Sequence, residues 1–148
     1  MTDPLRAGHL RGIMMRAPAM TATVDFYEQS WGLSLAKRGD GVAYMAGTGS
    51  EPFLYGLKDG DTFGIEYIHF GMPDRAAMDA FYLQAIDRGA TALGAPAPFE
   101  DTIGGYGFEI LDPDCRRLRF TTELAMKPSD DQFALPRKAS HVVLNSPD

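Results

Sequence analysis

The chain contains one eight-residue phrase three times, and this internal repeat constrains its fold more than any other feature. The copies are Gly12-Ile13-Met14-Met15-Arg16-Ala17-Pro18-Ala19, Tyr67-Ile68-His69-Phe70-Gly71-Met72-Pro73-Asp74 and His141-Val142-Val143-Leu144-Asn145-Ser146-Pro147-Asp148. Each has an apolar run, two small or polar residues, then proline at the seventh place. The first two stay in step without a gap as far as Phe26-Tyr27 and Phe81-Tyr82. Two structural modules of similar order are therefore expected, with a third just beginning at the C-terminus.

Within module one, Leu10 to Ala17 reads as a strand closed by Pro18. Apolar residues at 20, 24, 27 and 31 have helical spacing, which predicts a helix over Met20 to Trp31 stopped by Gly32. Short strands follow at Leu33 to Ala36, Val42 to Ala46 and Phe53 to Leu57, separated by glycine-rich turns. Module two repeats the order. Gly64 to Met72 is a strand, and Asp74 is placed to cap a helix over Arg75 to Arg88. On that helix Met78, Phe81, Tyr82, Ala85 and Ile86 form one stripe, and Gly89 ends it. Thr91 to Leu93 is a short strand and Gly94 to Pro98 a loop. Gly107 to Leu111 and Arg117 to Thr122 make a hairpin around Asp112-Pro113-Asp114-Cys115. Its alternation puts Phe108, Ile110, Leu118 and Phe120 on one face, and Glu109, Arg117, Arg119 and Thr121 on the other.

From Ala125 to Lys138 the residues are polar and proline-bearing, which reads as a linker. Residues 139–148 then read as the first strand of a truncated following module. The expected organisation is a domain over 1–124, made of modules at about 10–60 and 64–123, followed by that linker and strand.

Composition narrows the function. A chain of 148 residues with 45% apolar content supports one real core. Its net charge of −6 argues against nucleic acid or an anionic membrane as partner. No stretch approaches the length of a membrane span, and the N-terminus lacks a signal-like apolar region, so the cytoplasm is the expected location. The single Cys115 can make no internal disulfide.

The paired β-α-β-β-β modules, this opening phrase and the closing stretch Gly105 to Phe120 with its Asp-Pro-Asp turn resemble the vicinal oxygen chelate superfamily. That superfamily holds glyoxalases, bleomycin-resistance proteins and extradiol ring-cleaving dioxygenases. The likeness covers residues 10 to 123. It implies an α+β fold in which two βαβββ modules form an open, barrel-like mixed sheet around a cup. In the metal-bearing members, His residues on the opening strands and a Glu near the end of the closing ones hold a divalent ion. Two His and one carboxylate leave open positions on Fe(II) for substrate and dioxygen.

The corresponding positions here are Gly12, Tyr67 and Arg119. Glycine has no side chain to offer, and a phenol with a pKa near 10 is a poor ligand. Arginine is a permanent cation that repels a divalent ion. Cys115 stands where the hairpin turn of the family has glycine. Only the third copy has the family histidine, at His141.

The resemblance is therefore strongest to the N-terminal, metal-free domain of a two-domain type I extradiol dioxygenase. By that likeness His141 is the first metal ligand of a C-terminal catalytic domain of the same chain. That domain would use Fe(II) and O2 on a catechol-like diol, and this chain alone holds no cofactor and no catalytic residue. A homo-oligomer is also implied.

Other readings of the same residues stay open. A metal-free, stand-alone binding protein of the bleomycin-resistance type would hold a small aromatic molecule. A glyoxalase-like metalloenzyme is a further alternative, against which the lost ligands count. Tyr67, His69 and Arg119 could line a small residual pocket. His69 with Glu109 or Glu123 could form a displaced metal site, although a lone strand histidine is more often a packed, hydrogen-bonded residue. Glu109 and Arg119 are expected to make a cross-strand ion pair.

Overall fold

The computed structural model describes residues 5–130, 132 and 134–146. The chain forms two compact units, with boundaries falling within the first strand of each module. Module one runs β1 (His9–Ala17), α1 (Met20–Trp31), β2 (Ser34–Gly39), β3 (Val42–Ala46) and β4 (Tyr55–Asp59). Module two runs β5 (Gly64–Gly71), α2 (Arg75–Asp87), β6 (Thr91–Ala92), β7 (Ala97–Pro98), β8 (Tyr106–Leu111) and β9 (Arg117–Thr122).

The first unit takes in residues 11–68 together with 125–142. Its strand order is β2-β3-β4-β1. The β2–β3 and β3–β4 pairs are antiparallel, whereas β4 lies parallel to β1 in the register Ile13↔Tyr55 to Ala17↔Asp59. A parallel neighbour requires a long crossover, which α1, β2 and β3 supply. Helix α1 buries Met20 and Val24 against Ala17, Leu33, Ala43, Met45, Leu54 and Leu57, with Tyr27 at the margin. Each such aliphatic side chain contributes about 1.5–3 kcal/mol when fully buried. The helix ends at Gly32, whose φ of 69° is left-handed, a conformation glycine adopts without a Cβ penalty.

The first unit departs from the sequence expectation in several places. Strand β4 begins at Tyr55 instead of Phe53, because Leu54 bonds before the ladder proper: its N–H donates to Met45 and its carbonyl accepts from Ile13. Strand β2 runs on to Gly39 through a bulge between Leu35 and Lys37. Trp31, one of the four apolar residues whose spacing marks α1, is 54% exposed.

The second unit takes in residues 69–124, with residues from both ends of the chain. Here β8 pairs with β9 on one side and with β6 and β7 on the other. The sequence missed β7, reading Gly94 to Pro98 as a loop. Two residues, one of them proline, carry no periodicity; they form a strand only because β8 offers partners at Gly107 and Tyr106. Asp74 caps α2 by accepting from the Ala77 N–H at 2.8 Å.

The core of this unit is aromatic. Phe120 stacks on Phe70 and Phe108, with ring centroids 5.4 and 5.2 Å apart, and Phe81 from α2 lies at 5.1 Å. Met72 and Met78 complete the cluster. Ile86, expected on the buried stripe of α2, is exposed.

The C-terminal region also differs from expectation. Residues 125–130 and 134–137 do not form a free linker; they pack on the β3–β4 loop through backbone hydrogen bonds. Of the strand expected at 139–148, the described residues 139–146 join no ladder in this chain. Pro147 and Asp148 lie outside the described residues. Near that end, Arg116 Nη1 donates to the Asn145 carbonyl at 3.0 Å, and Ser146 Oγ donates to Asp114.

Candidate functional site

The three positions that the sequence resemblance sets against metal ligands, Gly12, Tyr67 and Arg119, can each be examined in its own unit. Gly12 lies buried on β1. A Cβ built there would stand 2.4 Å from the Leu54 carbonyl oxygen and 2.9 Å from its carbon. Both are backbone atoms and cannot swing away, so no side chain fits at this position. Tyr67 on β5 is 5% exposed, its ring among the buried core residues.

Arg119 on β9 is 7% exposed. Its Nε donates to Glu109 at 2.8 Å and its Nη1 to Asp101 at 2.5 Å. The guanidinium also lies 4.4 Å from the centre of the Phe99 ring, a cation–π arrangement. The expected Glu109–Arg119 pair is thus present across the hairpin, in direct register. Arg119 is bound by two carboxylates, and module two carries a fixed positive charge at its family ligand position.

His69 is wholly buried and shares a 2.5 Å hydrogen bond between its Nε2 and Thr121 Oγ1. The displaced metal set does not assemble around it. Glu109 is held by Arg119, with Arg117 a further 3.7 Å away. Glu123 forms a two-pronged pair with Arg75 at 2.7 and 2.8 Å. Among the described residues no three His, Cys, Asp or Glu side chains converge as a metal-binding group. The residues at the family positions do not fit a divalent ion.

The hairpin turn is built from Asp112. Its Oδ1 accepts from the N–H groups of Asp114 and Arg116, and its Oδ2 takes Arg116 Nε at 2.7 Å. Burial would raise the Asp112 carboxyl pKa, but the Arg116 side-chain and backbone hydrogen bonds outweigh it and hold it below the usual range. Cys115 sits at φ 60°, left-handed, where glycine would be unstrained.

His141 is exposed, and its Nδ1 lies 2.9 Å from Ser140 Oγ. Together with Gly12 it lines a pocket of about 210 Å³. Trp31, Leu33 and Tyr55 form the aromatic and aliphatic wall of this pocket, and Pro136 and Val142 close it from the C-terminal segment. Trp31 packs edge-to-face on Tyr27, with centroids 5.0 Å apart. Burial, then the hydrogen bond with Tyr27, pushes the Tyr55 phenol far above its usual range. The sequence reading missed this pocket because it used Trp31 only to mark the helix and read residues 125–138 as a linker. The exposed Trp31 at the end of a helix was the available signal.

Comparison with known proteins bears on the fold. No protein-family model matches the chain, and no curated protein matches its sequence. Solved structures do. The Mn(II)-bound glyoxalase from Novosphingobium aromaticivorans superposes with a TM-score of 0.89 at 26% identity, over 96% of this chain and 48% of that one. The 2,3-dioxygenase LapB from Pseudomonas sp. KL28 has a TM-score of 0.75 at 19% identity, over 83% of this chain and 43% of that one. Homoprotocatechuate 2,3-dioxygenase from Arthrobacter globiformis has 0.75 at 15%, over 87% and 40%.

The chain has the glyoxalase/dioxygenase-like α+β fold, which supports its resemblance to the vicinal oxygen chelate superfamily. It spans less than half the length of each of these three proteins. No helix among the described residues is long and apolar enough to cross a membrane.

Proposed function

We propose that this chain is the N-terminal, non-catalytic domain of a two-domain metalloenzyme, an extradiol dioxygenase acting on a catechol-like diol. Fe(II) and O2 would be handled in a C-terminal domain of the same polypeptide, in the cytoplasm. His141 would be the first ligand there. The domain described here would support that catalytic half and offer surface for contacts in a homo-oligomer.

One observation carries this reading: the family ligand positions hold groups that cannot ligate and cannot easily be made to. Gly12 is closed by the Leu54 carbonyl, and Arg119 is locked between Glu109 and Asp101. The match to less than half of several longer proteins supports it.

A second reading of the parent activity has its own support. The glyoxalase match has the higher TM-score and identity of the three, which favours a metal-dependent glyoxalase as parent.

The test compares residues 1–148 with the polypeptide encoded by the entire reading frame. Ring cleavage of a catechol by the longer protein with Fe(II), and none by residues 1–148, supports the first reading. Glyoxalase activity in its place supports the second. A reading frame that stops at Asp148 overturns the two-domain account.

A further inference from the structure

The segment after β9 has the composition of a linker but not its behaviour. Lys127 N–H donates to the Ser50 carbonyl at 3.0 Å, and Asp130 N–H to the Thr48 carbonyl at 2.7 Å. In the opposite sense, Thr48 N–H donates to Pro136 at 2.8 Å and Gly49 N–H to Arg137 at 3.2 Å. The Thr48-Gly49-Ser50 loop is therefore gripped on both sides. Its carbonyls accept from one pass of the segment and its N–H groups donate to the other.

Arg137 joins the two passes by donating to the Asp130 carbonyl and to Ser129 Oγ, both at 3.3 Å. At the start of the segment, Arg11 donates to Met126 Sδ at 3.5 Å while also holding Glu51 at 2.5 Å.

The glycines of the loop match this contact. A Cβ on Gly47 would lie 2.3 Å from the Pro136 carbonyl oxygen, and one on Gly49 would lie 2.3 Å from that of Arg137. Neither glycine has a positive φ. Their lack of a side chain is thus required by the approach of the segment, not by the local backbone. Beside them, Leu135 Cδ2 would stand 2.6 Å from a Cβ on Gly32.

We propose that the Gly47–Ser50 loop is a docking surface for the chain's own residues 125–130 and 134–137, two passes of a strap that is fixed on the loop instead of serving as a flexible tether. The strap delivers Lys138 to Val142 to the pocket wall of Trp31 and Tyr55. If a following domain is present, as the reading above holds, the strap fixes where that domain departs.

Hydrogen exchange on the 148-residue chain tests this. The amides of Thr48, Gly49, Lys127 and Asp130 should exchange at least about 100-fold more slowly than in an unstructured peptide, as structured hydrogen-bonded amides do. Gly47→Ala and Gly49→Ala should each remove most of that protection. They should also speed tryptic cutting after Arg137 and Lys138 by about 10-fold or more, because opening exposes the cleavable backbone.

Gly39→Ala is the control, since nothing lies within 4 Å of its Cβ position. Should the loop variants fail to fold, Arg137→Ala leaves both glycines and removes the side-chain clip between the two passes, and should raise exchange at Asp130. Rapid exchange of Lys127 and Asp130 in the unmodified chain overturns the strap, as do unchanged protection and cutting in folded variants. These readouts require no metal or activity, so the strap and the two-domain reading can fail separately.

Discussion

Arg119 and Glu109 face each other directly across the β8–β9 ladder, with Nε donating to the carboxylate at 2.8 Å. Both side chains are largely buried, so the pair is far from a solvated surface bridge. Removing one partner of a buried pair strands the other charge, and Arg119→Ala should cost about 2–4 kcal/mol. Chemical denaturation measures this. In a double-mutant cycle with Glu109→Gln, the two losses should be clearly non-additive; additive losses would show that the pair does not couple.

Gly12 should resist any side chain. Because the added Cβ meets backbone atoms of Leu54, Gly12→Ala should destabilise by at least about 2 kcal/mol, within the range for overpacked interiors. Gly12→His, the family ligand, should be worse and should create no metal affinity. An unchanged melting temperature for Gly12→Ala would contradict the close approach of β1 to Leu54.

Cys115 should gain from becoming glycine. Its left-handed backbone at φ 60° penalises a Cβ, and Cys115→Gly should raise stability by about 0.5–1 kcal/mol after the greater unfolded-state entropy of glycine is offset. The Asp112 hydrogen bonds keep the turn in place in both forms. A loss of stability would mean that the cysteine makes contacts that outweigh its strain.

Acid should weaken the first unit through Glu66. Burial would push its carboxyl pKa up, but hydrogen bonds from Lys58 and Arg16, at 2.7 and 2.8 Å, hold it below the usual range. A carboxyl whose folded pKa is depressed stabilises the fold above its unfolded pKa, and that contribution disappears as pH falls through the folded value. The loss should therefore set in below about pH 4.5. Denaturation midpoints measured from pH 7 to 3 should fall less steeply for Glu66→Gln than for the unmodified chain. Parallel curves would contradict the assignment.

Much of this fold was legible because its elements carry local signals. Helix α1 begins and ends where its 3.6-residue spacing and Gly32 place it, and the β8–β9 hairpin follows from strict alternation around a Pro-Asp turn.

What escaped were features made by distant partners. Strand β7 exists only through its pairing with β8. The residues at 125–137 look like a linker because composition does not record that Gly47 and Gly49 leave room for them. The third phrase has the apolar pattern of a strand, yet a strand also needs an edge to pair with, and residues 139–146 pair with none in this chain. Trp31 has helical spacing but lies at the helix end, on a pocket wall.

The two complete modules have the glyoxalase/dioxygenase-like fold, and at the positions the resemblance sets against metal ligands they carry Gly12, Tyr67 and Arg119. Titration of residues 1–148 with Fe(II), Mn(II) and Zn(II), followed by desalting and metal analysis, tests most directly whether they hold a metal. The account predicts well under one equivalent of any metal retained, with no difference between the unmodified chain and Arg119→Ala. Tight 1:1 binding that is lost on changing His69, Glu109 or His141 would contradict it.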